Sequence, residues 1–401
     1  MFRRIFLAFT CSLATTTVSA QTVGLSRADA IRDALHRGAL LGVASADTAL
    51  ANAALTAARA LPNPSLTANY SRDTPHYHAS VDIPIDFPML RSLRIRSSKS
   101  GVEAARLRYQ FNRAMIAMGA DTAYTRAVAA RQHFLLSRRT ALDADTLLHM
   151  AERRRDAGDA SDLDVELARV NSGQIANITA DDSLAMVSAL VDLQTLVGLA
   201  PQGTAILPID SLTPIPSALS PAARTLDEMA ASLSLDAAAM NLRLQRRSVW
   251  SQFSVSVGVE GVDPSQGGPL PTFGFGIGLP LFDRNRGAIA QAAAEHAKAE
   301  AELALTTADA RKALVHATRE RESAVAKATR DASLIVSANR VASMSLTGYR
   351  EGAMSLPTVL EAQRSAREVL AQYISDLAAA WIATAELRVF SIVPDSSTNP
   401  Q

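Results

Sequence analysis

The sequence predicts a mainly α-helical chain with a smaller β part, built as two copies of one unit. Three observations carry that prediction. Ala157-Gly158-Asp159-Ala160-Ser161-Asp162-Leu163-Asp164-Val165 and Glu351-Gly352-Ala353-Met354-Ser355-Leu356-Pro357-Thr358-Val359 place Gly, Ser and Val in one register, 194 positions apart. Ile83-Pro84-Ile85 and Leu279-Pro280-Leu281 close two strand-like runs at an offset of 196. Proline and glycine crowd into residues 61–90, 198–221 and 258–287, leaving Ala-rich, charged stretches between them. A fixed-period repeat constrains the whole architecture. Each unit reads helix, two strands, long helix, glycine turn, long helix.

Residues 26–60 predict a first helix, with Ser26 as N-cap and Leu61-Pro62-Asn63-Pro64 as its stop. Two strands follow. Leu66, Ala68 and Tyr70 alternate with Thr67, Asn69 and Ser71, and Tyr77, Ala79, Val81, Ile83 and Ile85 alternate with His78, Ser80 and Asp82. Period two with one apolar and one polar face is the strand signature. In the second unit Phe253, Val255, Val257 and Val259 alternate with Ser254, Ser256, Gly258 and Glu260. Phe273, Phe275, Ile277 and Leu279 alternate with Gly274, Gly276 and Gly278, which suits a strand with one face kept small.

The predicted helices are long. Residues 92–157 hold no proline and two glycines, and residues 288–351 hold no proline and one glycine. About 55–60 helical residues at 1.5 Å each reach roughly 80–90 Å, far beyond a globular domain of this size. Leu370, Tyr373, Leu377, Trp381, Thr384 and Leu387 step by threes and fours, the seam of a packed helix. Elsewhere the seams are mostly alanine.

The predicted organisation is a signal peptide over 1–20, a first repeat over 21–198 and a linker or equatorial segment over 199–221. A second repeat over 222–390 and a tail over 391–401 follow. The first repeat carries a β-hairpin at about 65–86 and a helical tip near 158; the second carries a hairpin at about 252–281 and a tip near 352. Arg3-Arg4, the short apolar run Ile5–Leu13 and Val18-Ser19-Ala20 form the signal pattern, with cleavage between Ala20 and Gln21. Cys11 is the only cysteine and lies inside that segment, which excludes disulfides and thiol chemistry from the processed chain. Removing Arg3 and Arg4 takes the formal charge from +1 to −1, so no electrostatic case exists for nucleic acid.

Short apolar/polar alternating strands in an exported chain fit a bilayer-spanning barrel. A strand edge cannot stay unpaired in lipid, and four strands cannot close, since barrels start near eight. Several chains must therefore contribute four strands each; two give eight, three give twelve. The other class is a soluble periplasmic coiled-coil scaffold carrying two hairpins. No nucleophile elbow, HExxH, P-loop or dinucleotide fingerprint occurs, so the chain is expected not to be an enzyme and to need no cofactor. His76 and His78 flank Tyr77 without a third ligand, so no metal site is expected.

Four motifs in order, Leu61-Pro62-Asn63-Pro64-Ser65-Leu66, Gly158-x-x-Ser161-x-x-Asp164-Val165, Leu279-Pro280-Leu281-Phe282-Asp283 and Gly352-x-x-Ser355-x-x-Thr358-Val359-Leu360-Glu361-Ala362, resemble the TolC family of outer-membrane efflux factors. The resemblance covers residues 22–390, and the family includes a heavy-metal branch. It implies a homotrimer with a twelve-stranded barrel in outer-membrane lipid of a Gram-negative bacterium and a helical tunnel across the periplasm. The implied partners are a periplasmic adaptor and an inner-membrane pump. Gly158, Ser161, Gly352 and Ser355 are then the adaptor-docking tips. Glu361, Thr358 and Asp164 are the periplasmic gate positions, with Thr358 standing where some relatives carry an acid. A solvated helix face is the plain alternative for Asp164 and Glu361. Arg153-Arg154-Arg155 are expected either to pair with acids of a neighbouring copy or of the adaptor, or to be simply solvated.

Overall fold

The computed structural model describes residues 23–37, 39–199, 206–217, 220–250, 253–261 and 268–393. The signal segment, with Ala20 and Gln21, lies outside the described residues. Two long helical hairpins dominate. α3 (Pro88–Asp156, 69 residues) turns back into α4 (Asp162–Val197), and α6 (Arg286–Arg350, 65 residues) turns back into α7 (Leu356–Phe390). At 1.5 Å per residue the longer helices reach roughly 100 Å. No single helix among the described residues is long and apolar enough to cross a bilayer.

The expected first helix is two: α1 (Arg27–Arg37) and α2 (Ala39–Arg59), bent by 47°. α1 ends against the C-cap of α4, where Gly198 adopts φ 74°. A Cβ at Gly198 would fall 2.9 Å from the Arg37 Cβ. Glycine there serves both the left-handed cap and the close approach. α5 (Leu226–Arg247) opens the second repeat with a capping box, Thr225 and Glu228 satisfying each other's backbone N–H.

The strands fall close to their expected bounds. β2 (Ser65–Tyr70), β3 (Tyr77–Pro84), β5 (Phe253–Glu260) and β6 (Leu270–Ile277) form one antiparallel sheet in the order β2-β3-β5-β6. Two short strands were not expected. β1 (Val23–Leu25) pairs in parallel with β4 (Ile206–Pro208), which draws the proline-rich segment between the repeats into the fold. Leu212 in that segment is fully buried, and the Trp381 indole N–H donates to its carbonyl at 2.6 Å.

The main core lies beside this small sheet. Leu25, Tyr124, Val128, Leu193, Val197, Ile206, Leu212 and Leu377 pack together there. A polar knot crosses it. The Asp121 carboxylate, 4% exposed, accepts from Arg27 of α1 and from Arg388 of α7, the latter at 3.0 Å. The Arg27 guanidinium stacks 3.8 Å over the Trp381 ring. The Tyr124 hydroxyl lies 2.9 Å from the Leu25 carbonyl and 3.0 Å from the Asp210 carboxylate. Burial pushes its pKa up to about 12, so it stays a neutral donor. The knot ties the chain's first helix to its last.

Along α6, Ala317, Ala324, Asp331, Ala338 and Ser345 repeat every seven residues, a seam that lets α7 approach closely. Asp331 breaks the alanine pattern opposite Asp376 of α7, and the two carboxyl groups interact. Burial first, and Asp376 second, push the Asp331 carboxyl above its usual range. The folded state thus holds this proton more tightly than the unfolded chain. The contribution to stability is full at pH below the ordinary carboxylate value and is lost as pH rises through the raised one. Asp331→Asn is therefore expected to raise the melting temperature at pH 7 and leave it unchanged near pH 3. Equal effects at both pH values would contradict this assignment.

Candidate functional site

The first candidate surface is the four-stranded sheet. Register sorts its side chains by chemistry. Leu66, Tyr70, Val81, Ile83, Val255, Val257, Phe273 and Phe275 all share one face, because the pairs Leu66↔Val81, Val81↔Val257 and Val257↔Phe273 lie side by side. This face is solvent-exposed in the single chain, with Phe273 79% and Leu66 76% accessible. The opposite face carries Thr67, Asn69, Ser80, Asp82, Ser254 and Ser256. Glycines stand across from the serines: a Cβ at Gly274 would lie 2.2 Å from Ser256 Oγ, and one at Gly276 would lie 2.6 Å from Ser254 Oγ. The alternating glycines therefore make room for a cross-strand hydroxyl row. One apolar outer face and one small, polar inner face is the alternation a membrane barrel needs.

His76 and His78 sit at the loop end of this sheet, both beside Ser71. His76 Nδ1 lies 3.2 Å from the Ser71 carbonyl, His78 Nε2 lies 3.4 Å from Ser71 Oγ, and His78 Nδ1 lies 3.6 Å from Glu260 Oε1. Among the described residues no group of three or more His, Cys, Asp or Glu side chains could hold a metal ion.

The second candidate surface is the pair of helical tips. Both turns are built alike. Gly158 has φ 83° and Gly352 φ 76°. Behind them the Asp159 amide donates to Arg154 O at 2.7 Å, and the Ala353 amide donates to Gly348 O at 2.8 Å. These are the long closing bonds of a Schellman turn. Ser161 and Ser355 then stand at the N-caps of α4 and α7.

The two caps differ in a way that reflects Asp164 and Thr358. The Asp164 carboxylate accepts from the Ser161 amide at 3.1 Å and from its hydroxyl at 2.9 Å, while Ser161 Oγ accepts from the Asp164 amide. Asp164 is thus the acid of a capping box, a local duty that the gate assignment did not foresee. Thr358 only shares a 2.9 Å hydroxyl contact with Ser355, and Ser355 makes no side-chain cap bond. Glu361 is exposed on α7 and lines a cleft of about 510 Å³ between the two hairpins, together with Leu147, Ile175, Leu360, Arg364 and Arg367. The Arg364 guanidinium is held above its ordinary value by Glu368 first, with Glu361 adding to the effect.

Within one chain the tips are fastened together. Arg154 donates to the Tyr349 carbonyl at 2.7 Å and stacks 4.8 Å from the Tyr349 ring. Tyr349 packs with Leu147, Val165, Leu356 and Val359. Of the arginine run expected to be solvated or to reach a neighbour, Arg154 is engaged inside the chain, and Arg155 bonds Asp156 at 2.7 Å. Sequence reasoning missed this latch, since the two partners are 195 positions apart.

Residues 30–199 match the family model described as outer membrane efflux protein. The matched stretch falls on the first repeat. Solved structures extend the likeness in fold over both repeats. A membrane protein from Pseudomonas aeruginosa aligns at TM-score 0.77 and 20% identity, covering 90% of this chain and 92% of its own. CusC aligns at TM-score 0.76 and 17% identity, covering 90% of each chain. The outer membrane protein VceC from Vibrio cholerae aligns at TM-score 0.74 and 17% identity, covering 91% of this chain and 96% of its own. No curated protein matches the sequence. The fold is that of the TolC-like outer-membrane efflux channels, mainly helical with a four-stranded contribution to the sheet, and the resemblance drawn from the motifs holds. The family is one of channels rather than enzymes.

Proposed function

We propose that three copies of this outer membrane efflux protein close a twelve-stranded barrel in the outer membrane and continue it as a helical tunnel into the periplasm. The assembly is a passive exit duct for small molecules or metal ions. It is joined at its tips to a periplasmic adaptor and through it to an inner-membrane pump. The single observation that carries the reading is the sheet. Its apolar face is exposed from β2 to β6, and β2 and β6 are its outer strands. In lipid every strand edge must be paired. Four strands leave two edges free, and three copies joined head to tail remove them all.

The purified protein is expected to be a trimer in detergent by light scattering coupled to size exclusion, and to stay with the membrane pellet through a carbonate wash. A monomer released into the wash as soluble protein would favour the coiled-coil scaffold instead.

Of the gate positions, Glu361 is the one whose carboxylate is not engaged in capping a helix. Three such side chains around an axis make a negative ring, which favours cations and attracts divalent ions. Glu361→Gln is expected to lower cation selectivity and divalent block in planar bilayers. Asp164→Asn is expected to leave both unchanged and to weaken the α4 cap by about 1 kcal/mol. The reverse pattern would move the gate to the first hairpin.

A further inference from the structure

The internal duplication fixes how one copy meets the next. Within the chain, the two repeats join by pairing β3 of the first with β5 of the second. The register is Val81↔Val257, Ile83↔Val255 and Pro84↔Ser254. In a ring of copies the second repeat must join the first repeat of its neighbour, and the equivalent strands are β6 and β2. The Pro84 and Pro280 motifs align β3 with β6. The two hairpin registers, Leu66↔Val81 and Phe253↔Ile277, then align Leu66 with Phe253. Carrying the internal joint across this equivalence converts each observed pair into one pair between copies.

We infer that β6 of one copy pairs antiparallel with β2 of the next in the register Ile277↔Tyr70, Gly278↔Asn69, Leu279↔Ala68, Pro280↔Thr67 and Leu281↔Leu66. This rests on the barrel reading above and specifies its subunit joint. Parity supports it independently of the alignment's origin. Every pair sets apolar against apolar or places both residues on the inner, small or polar face, so the outer face continues unbroken across the joint. A slip by one residue would bring Leu279 against Thr67 or Asn69 and turn one strand inside out. Leu66, Tyr70, Leu279 and Leu281, on the outer strands, are each between 65% and 76% accessible, so apolar surface is open along both edges that the joint would pair. The joint also extends β6 beyond Ile277. In the single chain the Leu281 amide turns back onto its own Leu279 carbonyl at 2.8 Å. Its counterpart Ile85 instead donates across the internal joint to the Phe253 carbonyl at 2.8 Å. Leu281 in the ring donates to Leu66 of the next copy.

Disulfide mapping tests the register. The Ile85 amide donates a ladder bond to the Phe253 carbonyl, so Asp82↔Ser256 is a non-hydrogen-bonded pair, with its Cα atoms close enough for a disulfide. Its counterpart between copies is Gly278↔Asn69. β2 and β6 stand three strand spacings apart in one sheet, about 14 Å, so a disulfide between them can form only between copies. With Cys11→Ser as background, Asn69→Cys combined with Gly278→Cys is expected to give a covalent trimer as the dominant species on a non-reducing gel. Asn69→Cys combined with Gly276→Cys, or with Pro280→Cys, probes slips of two residues and is expected to give little. Dominant cross-linking by either slipped pair, or by none of the three in a protein that is trimeric by light scattering, overturns the register. A detergent-solubilised monomer overturns the barrel reading with it.

Discussion

Asp121→Ala is expected to destabilise the protein by about 3–5 kcal/mol, the cost of stripping one partner from a buried ion pair. The carboxylate is 4% exposed and Arg27 is 12% exposed. Removing it strands a guanidinium under Trp381 with no counter-charge. Arg388, the second partner, is 38% exposed and returns to water more easily, so Arg388→Ala is expected to cost less. Thermal melts of the detergent-solubilised protein, followed by circular dichroism, read both. A loss below about 1 kcal/mol for Asp121→Ala, the range of an exposed pair, would mean that the knot is not the joint between the first and last helices.

Gly352→Trp is expected to abolish efflux while leaving assembly and membrane insertion intact. Any L-residue at φ 76° pays the left-handed strain, about 1–2 kcal/mol. That strain falls on an exposed turn at the far end of the hairpin, where change is tolerated. On the proposed docking reading, the indole by contrast fills the space where the adaptor would sit. Gly352→Ala carries the strain without the bulk and is expected to keep most of the transport. Export of a pump substrate from cells and cross-linking of the tip to the adaptor measure the two effects. If the Trp variant transports and cross-links as the parent does, the tip is not the docking surface. Equal loss with Ala would assign the effect to turn geometry alone.

The elements legible in the sequence were those whose signal is local. Strands β2, β3, β5 and β6 showed through period-two alternation, and both tips through Gly followed by Ser three residues on. The helices showed through long stretches without proline. The bend after Arg37 was not legible, nor was the packing of Gly198, 161 positions away, against Arg37. The β1·β4 pair was missed for a similar reason. Three residues from each of two segments carry no period, and their pairing exists only once the repeats fold beside each other. The spacing of Asp164 from Ser161 also spells a capping box, and its hydrogen bonds complete that box.

The sequence by itself determined the duplication, the fold class, the apolar and polar faces of the sheet and the two glycine turns, because each follows from periodicity or from a backbone angle that only glycine adopts readily. The tertiary structure decided which charges are spent within the chain and which are left free. Asp121, Arg154 and Asp331 look alike in the sequence, one charge among many on a long helix. Burial beside Arg27, stacking on Tyr349 and opposition to Asp376 give them three different roles. The physical reason is that the energy of a charge is set by the dielectric and the partners that distant segments bring to it, and neither is written in its neighbours along the chain.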